Sequence, residues 1–160
     1  MRPSSRMPPG KGHWKCRRLI GATFLVALFA VGAAWAKPAS PVGIWLHPNQ
    51  RIHVEIVPCE NRLCGQIVWF RWPNDAEGLP LVDLKNPNPA LRGRPLMGLQ
   101  VLDGLLRAED GTWGNGRIYN PDDGAEYQAN MSIGDDDAVR VRVFRLMPIF
   151  GETLIWTRVR

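Results

Sequence analysis

Acidic residues are absent from the first thirty-six positions of this 160-residue chain, although 15 occur in the remainder. Six basic residues lie there instead, followed by an uncharged apolar run over residues 19–34 and the small-x-small sequence AWA. A basic start, an apolar middle and a small-residue end are typical of a secretory signal peptide. We therefore predict a signal peptide over residues 1–36, cleavage between Ala36 and Lys37, and one domain over residues 37–160.

An uncleaved membrane anchor is the alternative interpretation of the apolar run. The run is short for the roughly 20 apolar residues that span a bilayer. The pair Arg17-Arg18 raises the twin-arginine export route, but the residues around it fit that pattern loosely, so ordinary secretion is favoured. No cysteine lies directly after the run, which argues against a lipid anchor at the new N-terminus. The sequence thus predicts a periplasmic or secreted protein with no membrane anchor after cleavage.

Positive charge is not in excess once the leader is removed. The leader holds six of the 20 Lys and Arg residues, which leaves 14 against 15 acidic residues in the mature chain. A nucleic-acid-binding surface needs clustered positive charge on the folded domain. The sequence therefore predicts no nucleic-acid partner.

Cysteine is scarce, and Cys59 and Cys64 are the two in the predicted mature chain. Two cysteines in an exported protein indicate one disulfide, and the turn-like sequence ENRL between them suits a bridge across a hairpin end. A catalytic dithiol is the alternative, but its usual spacing is C-x-x-C before a helix. A zinc site would need more ligands.

Amphipathic helices are also lacking in the mature chain, and strand patterns dominate. Apolar and polar residues alternate in RIHVEIV, AEYQANMSI and AVRVRVF, which indicates strands with one buried face. Five further segments favour strands: GIWLH, GQIVWFRW, GLQVLDGLL, TWGNGRIYN and ETLIWTRV. Turn residues separate most of them. Eight strands predict an all-β, antiparallel up-and-down barrel, because closure removes exposed sheet edges; a two-sheet sandwich is the alternative.

Gly43-Ile44-Trp45 opens the first predicted strand, and Arg158 lies in the last. This resembles the lipocalin and calycin pattern, in which a Gly-x-Trp begins the barrel and an arginine from the last strand packs across the tryptophan. The resemblance implies structural roles for Gly43, Trp45 and Arg158 at the barrel base. The chain ends at Arg160, without the helix that follows the eighth strand in lipocalins, which argues against a large ligand cavity.

A longer series of segments is more specific. The segments GIW, CENRLCGQIVW, DLKNPNPALRGRPLMGL, GTWGNGRIYNPDDGAEY and GETLIWTRV are similar to an exported bacterial family, domain of unknown function 2147. The resemblance runs from Gly43 to Val159. It implies a small lipocalin-like barrel in the cell envelope, with no established activity.

A long connection over residues 73–97 is predicted between the third and fourth strands. Such loops are usually functional or disordered, and the prolines here argue against disorder. Arg92 and Arg94 would point the same way in an extended chain and would suit a carboxylate or phosphate. We predict them, with Asp83 and Asn86, as ligand-binding residues. The alternative is that the arginines pair with Asp83 or with loop carbonyls and hold the loop over one barrel end.

Aromatic residues on or beside the predicted strands are the second set of ligand-binding candidates. Those that face inward would line a pocket for a flat or acyl ligand; the set is Trp69, Trp72, Trp113, Tyr119, Tyr127 and Trp156. Of these, Trp69, Trp113 and Tyr127 are predicted as ligand-binding residues. Aromatic side chains more often fill a core, since each buries a large apolar area. Both interpretations stay open at this point.

Catalytic motifs are lacking: the sequence has no G-x-S-x-G, no H-E-x-x-H and no phosphate loop. His47 and His53 would need further ligands to hold a metal, and a solvated hairpin tip explains the acidic run 135–137 more simply than calcium does. We expect no enzyme activity, no cofactor and no metal. The leading hypothesis is a periplasmic barrel that binds a small, partly apolar ligand with an acidic head. The alternative is an envelope interaction or structural protein with a packed barrel and no ligand.

Overall fold

Eight strands follow one another in the computed structural model, which describes residues 40–159; the predicted signal peptide and cleavage site lie outside the described residues. The strands are β1 (Gly43–Leu46), β2 (Ile52–Cys59), β3 (Arg62–Phe70), β4 (Gln100–Arg107), β5 (Trp113–Asn120), β6 (Ala125–Ile133), β7 (Ala138–Phe144) and β8 (Glu152–Arg158). Two short 3-10 helices, Pro89–Leu91 and Pro148–Phe150, lie in the connections after β3 and β7. None of the helices in this described part is long and apolar enough to cross a membrane.

The sheet closes on itself. Each strand pairs antiparallel with the next, and β1 also pairs with β8, joining Trp45 to Arg158 and Leu46 to Thr157. The up-and-down barrel predicted from the sequence is confirmed. The sandwich alternative is wrong, because one continuous ladder runs around the barrel and leaves no pair of separate sheets.

Period-two alternation decides which side chains enter the barrel. Val139 and Val141 of β7 are buried, whereas Arg140 between them is partly exposed. Ala129 and Met131 of β6 are buried in the same way. Removing apolar surface from water contributes about 25 cal/mol per Å². The pattern therefore fixes the register, since a slip of one residue would turn these side chains outward.

The hairpin between β2 and β3 is tighter than the sequence predicts. Pairing continues to Cys59 and Arg62, so the turn is Glu60-Asn61 and not the whole of ENRL. Glu60 has a positive φ of 55°, which allows this short reversal. Cys59 and Cys64 form a disulfide across the hairpin end, with their Cα atoms 5.8 Å apart. The predicted structural bridge is confirmed.

The strand connections divide between the two ends of the barrel. The closed end has three short turns, at residues 60–61, 108–112 and 134–137. The open end has four connections, at residues 47–51, 71–99, 121–124 and 145–151. The long connection therefore leaves and re-enters the barrel at the open end.

Buried apolar side chains fill the half of the barrel next to the closed end. They include Trp45, Ile56, Leu63, Leu105, Trp113, Met131 and Val139. Gly116 of β5 makes room for one of them, because a Cβ at this position would lie 2.6 Å from Leu105 Cγ. Toward the open half, the same cluster continues to Val54, Ile67, Val101, Ile118 and Trp156.

Candidate functional site

A cavity of about 1230 Å³ occupies the open half of the barrel. Buried apolar side chains form its floor: Val54, Ile67, Val101, Ile118 and Trp156. Ligand pockets are commonly roughly 300–1,000 Å³, so this one is large. The expectation against a large cavity is wrong. Strand number and inward side chains set the size of a lumen, and neither depends on a segment after β8.

The rim of the cavity comes from all four open-end connections. Its exposed residues mix charge and apolar surface: Arg51, Trp72, Lys85, Asp122, Arg145, Leu146, Phe150 and Glu152. Charged groups therefore stand at the mouth, while the floor is apolar. This division suits a ligand with a polar head and an apolar body.

Asp83 anchors the long connection to the barrel. Its side chain is completely buried. Oδ1 accepts a hydrogen bond from the Tyr119 hydroxyl at 2.7 Å, and Oδ2 accepts from Asn86 Nδ2 at 2.8 Å and from Arg94 Nε at 2.9 Å. Burial opposes ionisation of Asp83, but these three hydrogen bonds and the Arg94 charge outweigh it and lower its pKa. Asp83 is thus a buried carboxylate whose partners lie within the fold.

Arg92 and Arg94 follow the 3-10 helix Pro89–Leu91, and both make contacts within the loop. Arg92 Nε donates to the Asn86 carbonyl at 2.8 Å. Arg94 forms the ion pair with Asp83 and lies 5.4 Å from the Tyr119 ring centre. Neither arginine lines the cavity. The contacts match the alternative interpretation, in which both arginines hold the loop.

Asp83 and Asn86 are likewise outside the cavity lining. The Asn86 side chain is buried, and its Oδ1 accepts a hydrogen bond from the Asn88 backbone at 2.9 Å. The geometry gives all four predicted loop residues a positioning role. What they position is the cavity wall, since Tyr119 both touches Asp83 and lines the cavity.

Lys85 is the loop cation that reaches the rim. The β5–β6 turn packs against its backbone: a Cβ on Gly124 would overlap the Lys85 carbonyl, and Gly124 has a φ of +72°. Only glycine combines this close approach with the left-handed conformation at no cost. Sequence reasoning missed Lys85 as a site residue, although it lies between the predicted Asp83 and Asn86.

Tyr127 and Arg145 form a second polar group at the rim. The Tyr127 hydroxyl donates to Asp123 Oδ2 at 2.5 Å. Arg145 Nη2 donates to that hydroxyl at 3.3 Å, and its guanidinium carbon lies 4.9 Å from the ring centre. Both Tyr127 and Arg145 line the cavity. Of the residues predicted to bind a ligand, Tyr127 therefore lies in the cavity wall, as do Trp72, Tyr119 and Trp156 of the wider aromatic set.

The two predicted tryptophans lie elsewhere. Trp69 is exposed and stacks on His53, with ring centres 4.2 Å apart. Trp113 is buried in the closed-half core, with the Arg107 guanidinium 5.8 Å from its ring centre. Neither lines the cavity. Strand position explains this for Trp113, which begins β5 at the closed end, far along the strand from the mouth. Trp69 lies near the open end of β3, but the β2–β3 pairing shifts between Ile67 and Trp69 and the side chain is exposed.

His47 is a cavity residue that the sequence pointed to only as a weak metal candidate. Its ring meets the Trp156 ring edge-on, with centres 5.6 Å apart. Nδ1 accepts a hydrogen bond from the Asn49 backbone at 3.2 Å, which leaves the proton of the neutral ring on Nε2. Burial lowers the pKa of His47 and outweighs the opposite effects of Asn49 and Asp122. The wall is therefore uncharged here near neutral pH.

The closed end carries the predicted base contact. The Arg158 guanidinium lies 4.1 Å from the Trp45 ring centre and donates to the Ser40 and Val42 carbonyls at 2.6 and 3.2 Å. Its Nε donates to Asp137 at 2.9 Å. A Cβ on Gly43 would lie 2.6 Å from Arg158 Nη1, so glycine is needed there. This is the plug that the Gly-x-Trp pattern implies.

Two of the three carboxylates in the acidic run 135–137 form ion pairs. Asp136 pairs with Arg140 at 2.7 Å, and Asp137 pairs with Arg158. Among residues 40–159, no group of three or more His, Cys, Asp or Glu side chains could hold a metal ion.

Comparisons with known proteins give the chain a family. A family model described as an uncharacterized protein conserved in bacteria, DUF2147, matches residues 43–158. The chain belongs to this family. No curated protein matches it. Protein HP1028 from Helicobacter pylori, described as belonging to the lipocalin family, is similar in structure with a TM-score of 0.65 and 21% identity, over 76% of this chain and 84% of that one. At this identity the likeness shows a lipocalin-like fold alone.

Proposed function

We propose that this DUF2147 protein is an exported, non-enzymatic barrel that binds a small, partly apolar ligand with an acidic head in the periplasm. The observation that carries the proposal is the cavity of about 1230 Å³, open at one end and floored by apolar side chains. Leaving that much apolar wall in water has a cost that a ligand would remove. Export rests on the basic and apolar leader of the sequence.

The floor supports an apolar ligand body. Val54, Ile67 and Trp156 are buried side chains that line it, and His47 beside Trp156 is neutral near pH 7 because burial lowers its pKa. The indole Nε1 of Trp156 is buried and has no hydrogen-bond partner among the described residues. An unpaired buried donor costs about 1–3 kcal/mol, so a single ligand acceptor near Trp156 would be favourable.

The rim supports an acidic ligand head. Arg51, Lys85 and Arg145 line the mouth, and none of them forms an ion pair within residues 40–159. Asp122 and Glu152 also stand at the rim, where the three cations outnumber them. Lys85 is the member of these three that lies in the long loop, so it takes the role that the sequence predicted for Arg92 and Arg94.

Native mass spectrometry of protein exported by its own host tests the proposal. We expect an added mass that is lost on denaturation. Val101→Trp would place a large ring in the cavity and should abolish that mass, whereas Ile155→Thr on the outer wall should retain it. A ligand-free wild type, together with no binding of fatty acids in solution, would sink the proposal.

Charge at the mouth is tested separately. Lys85→Gln should weaken binding of a fluorescent fatty acid by about tenfold, as loss of a charged hydrogen bond predicts. Arg62→Gln is the matched control, because Arg62 is an exposed cation at the closed end of β3. Equal effects of both variants would mean that the head is not held at the rim.

An interaction protein is the second candidate function. The observation that favours it is a set of large apolar side chains exposed at the open end, including Leu146 and Phe150. The packed barrel that this candidate was expected to have does not agree with the cavity. The surface itself therefore needs its own explanation.

A further inference from the structure

The connection 145–151 presents four large apolar side chains to solvent. Leu146, Met147, Ile149 and Phe150 are 86%, 53%, 76% and 79% exposed. Single exposed apolar residues are ordinary, but a contiguous group marks an interaction site. The group stands at the cavity mouth, because Leu146 and Phe150 also line the rim.

The same connection is braced by the barrel wall. Arg142 of β7 donates Nε to the Pro148 carbonyl at 2.9 Å and Nη2 to the Ile149 carbonyl at 3.3 Å. Its Nη1 donates to Thr153 Oγ1 on β8 at 2.9 Å. A Cβ on Gly151 would overlap the Val143 carbonyl, so the end of this connection packs directly against the backbone of β7. These contacts fix the backbone of the connection, so its apolar side chains stay exposed. A connection without such contacts could fold them over the mouth.

Exposed apolar residues concentrate at the open end. Nine of the thirteen large apolar residues that are exposed among the described positions lie in its connections: Trp72, Leu79, Leu84, Leu91, Met97, Leu146, Met147, Ile149 and Phe150. The other four are Val42, Ile44, Trp69 and Ile155, which lie on or beside strands. The nine residues come from two of the four open-end connections, 71–99 and 145–151, and both connections contribute to the cavity mouth. We call these nine residues the open-end ring.

Basic residues are interleaved with this ring. The sequence places Arg71 beside Trp72, Lys85 beside Leu84 and Arg145 beside Leu146. The Arg71 guanidinium lies 5.4 Å from the Trp72 ring centre. Apolar and aromatic side chains set among Lys and Arg are typical of surfaces that enter the headgroup region of a bilayer. Protein interfaces are instead depleted in Lys, whereas Lys85 lies within this set.

Charge also separates along the barrel axis. The closed-end turns hold six acidic residues and no basic one, whereas the open-end connections hold six basic and five acidic residues. Two of the closed-end carboxylates, Asp136 and Asp137, are paired with arginines. Strand residues reduce this difference, because Arg62 and Arg107 flank the closed-end turns and Glu152 stands at the open-end rim. The closed end stays the more acidic of the two, so a negatively charged surface would repel the open end less.

From these three observations we propose that the open-end ring docks on an anionic phospholipid bilayer. The tip 145–151 and Trp72 enter the headgroup region, and Arg71, Lys85 and Arg145 meet lipid phosphates. Docked in this way, the cavity mouth faces the bilayer, so an acyl ligand would enter without crossing water. That consequence rests on the proposed ligand-binding function, whereas docking does not.

Vesicle co-sedimentation of the exported protein tests docking. The predicted leader must be shown absent by mass, since its apolar run would bind lipid on its own. We expect association with vesicles of phosphatidylglycerol and phosphatidylethanolamine, and much weaker association with phosphatidylcholine alone. Salt should reduce the association without abolishing it, because the apolar contacts are not screened.

Two double variants separate the ring from apolar surface in general. Met147→Ser with Ile149→Ser removes two tip residues that do not line the cavity, and should weaken association at least about tenfold. Ile44→Ser with Ile155→Ser removes two exposed apolar residues of the outer wall and should change little. Far-ultraviolet circular dichroism checks that both variants fold.

Three results would overturn docking: no association of the wild type, equal loss in both double variants, or a protein partner that covers the tip while vesicles stay unbound. Val101→Trp separates the two proposals. If it loses the ligand and still binds vesicles, docking stands by itself. If the wild type binds vesicles and no fatty acid, the ligand proposal fails alone.

Discussion

The two ends of this barrel are built on different principles. The closed end has short turns, a disulfide between Cys59 and Cys64, and the Arg158 guanidinium over the Trp45 ring. The open end has a connection over residues 71–99, a cavity of about 1230 Å³ and a ring of exposed apolar residues. The barrel thus has tightly packed side chains near its closed end and an open cavity near the other end.

The difference lies in where polar groups find their partners. At the closed end, Arg158 donates to backbone carbonyls and to Asp137, so the contact holds the barrel shut. At the open end, the Asp83 cluster fixes the long loop, while Lys85 and Arg145 stay at the rim. Stabilising contacts can therefore be removed at either end, but only one end should affect a ligand.

The largest expected effect compares two leucines. Leu105→Ala should lower the free energy of unfolding by about 4 kcal/mol, because Leu105 is completely buried in the closed-half core and its loss leaves a cavity. Leu154→Ala should cost about 1.5 kcal/mol, since Leu154 already faces open volume. Urea unfolding of both variants measures the difference. Equal costs would show that the open half is packed in solution.

The base plug comes next. Arg158→Ala should lower the free energy of unfolding by about 3 kcal/mol, through loss of the indole stacking and of charged hydrogen bonds to carbonyls. Arg158→Lys should retain only part of this stability, because an ammonium group lacks the planar set of N–H donors of a guanidinium. Arg140→Ala, in an exposed ion pair of the same end, is the control and should change stability little.

Asp83 should make the free energy of unfolding depend on pH through a contact at the open end. Its pKa is lowered in the folded state, so its ionised form contributes stability above the unfolded-state pKa of about 4. This contribution is lost as the pH falls through the folded-state pKa. Asp83→Asn should cost about 2.5 kcal/mol at pH 7 and flatten the acid limb of stability against pH. An unchanged acid limb would mean that other carboxylates dominate it.

The smallest effect concerns the disulfide. Cys59→Ser with Cys64→Ser should lower the free energy of unfolding by about 2 kcal/mol, as expected for so short a loop. Fatty-acid affinity should stay the same, because the hairpin lies at the closed end. A loss of affinity at unchanged fold would show that the two ends are coupled.

Local patterns were sufficient for most of the fold. The strand over residues 138–144 was predicted with its final bounds because valines alternate with arginines there. The Trp45–Arg158 contact was also predicted, through a resemblance that names both residues. The long connection was located within a few residues, since prolines and asparagines interrupt strand patterning.

The candidate site was harder to predict. Arg92 and Arg94 are polar, one residue apart and in a loop, which are properties that ligand-binding and loop-holding arginines share. Only the position of Asp83 distinguishes the two roles, because its buried carboxylate forms an ion pair with Arg94. Trp113 was misplaced because a strand pattern gives the face of a side chain but not its distance from the mouth. Trp69 was misplaced because the β2–β3 pairing shifts by one residue between Ile67 and Trp69, which the pattern does not show, and Trp69 is left exposed beside His53.

The sequence by itself determined eight strands, their buried faces, the disulfide and the plug, because each follows from contacts that repeat along the chain or occur within one hairpin or family motif. The tertiary structure decided the cavity, the hydrogen bonds that Asp83 accepts, the position of Lys85 and Arg145 at the rim, and the open-end ring. These depend on which of two barrel ends each loop occupies and on whether inward side chains meet across the lumen. That is a property of closure, which brings residues far apart in sequence to one mouth.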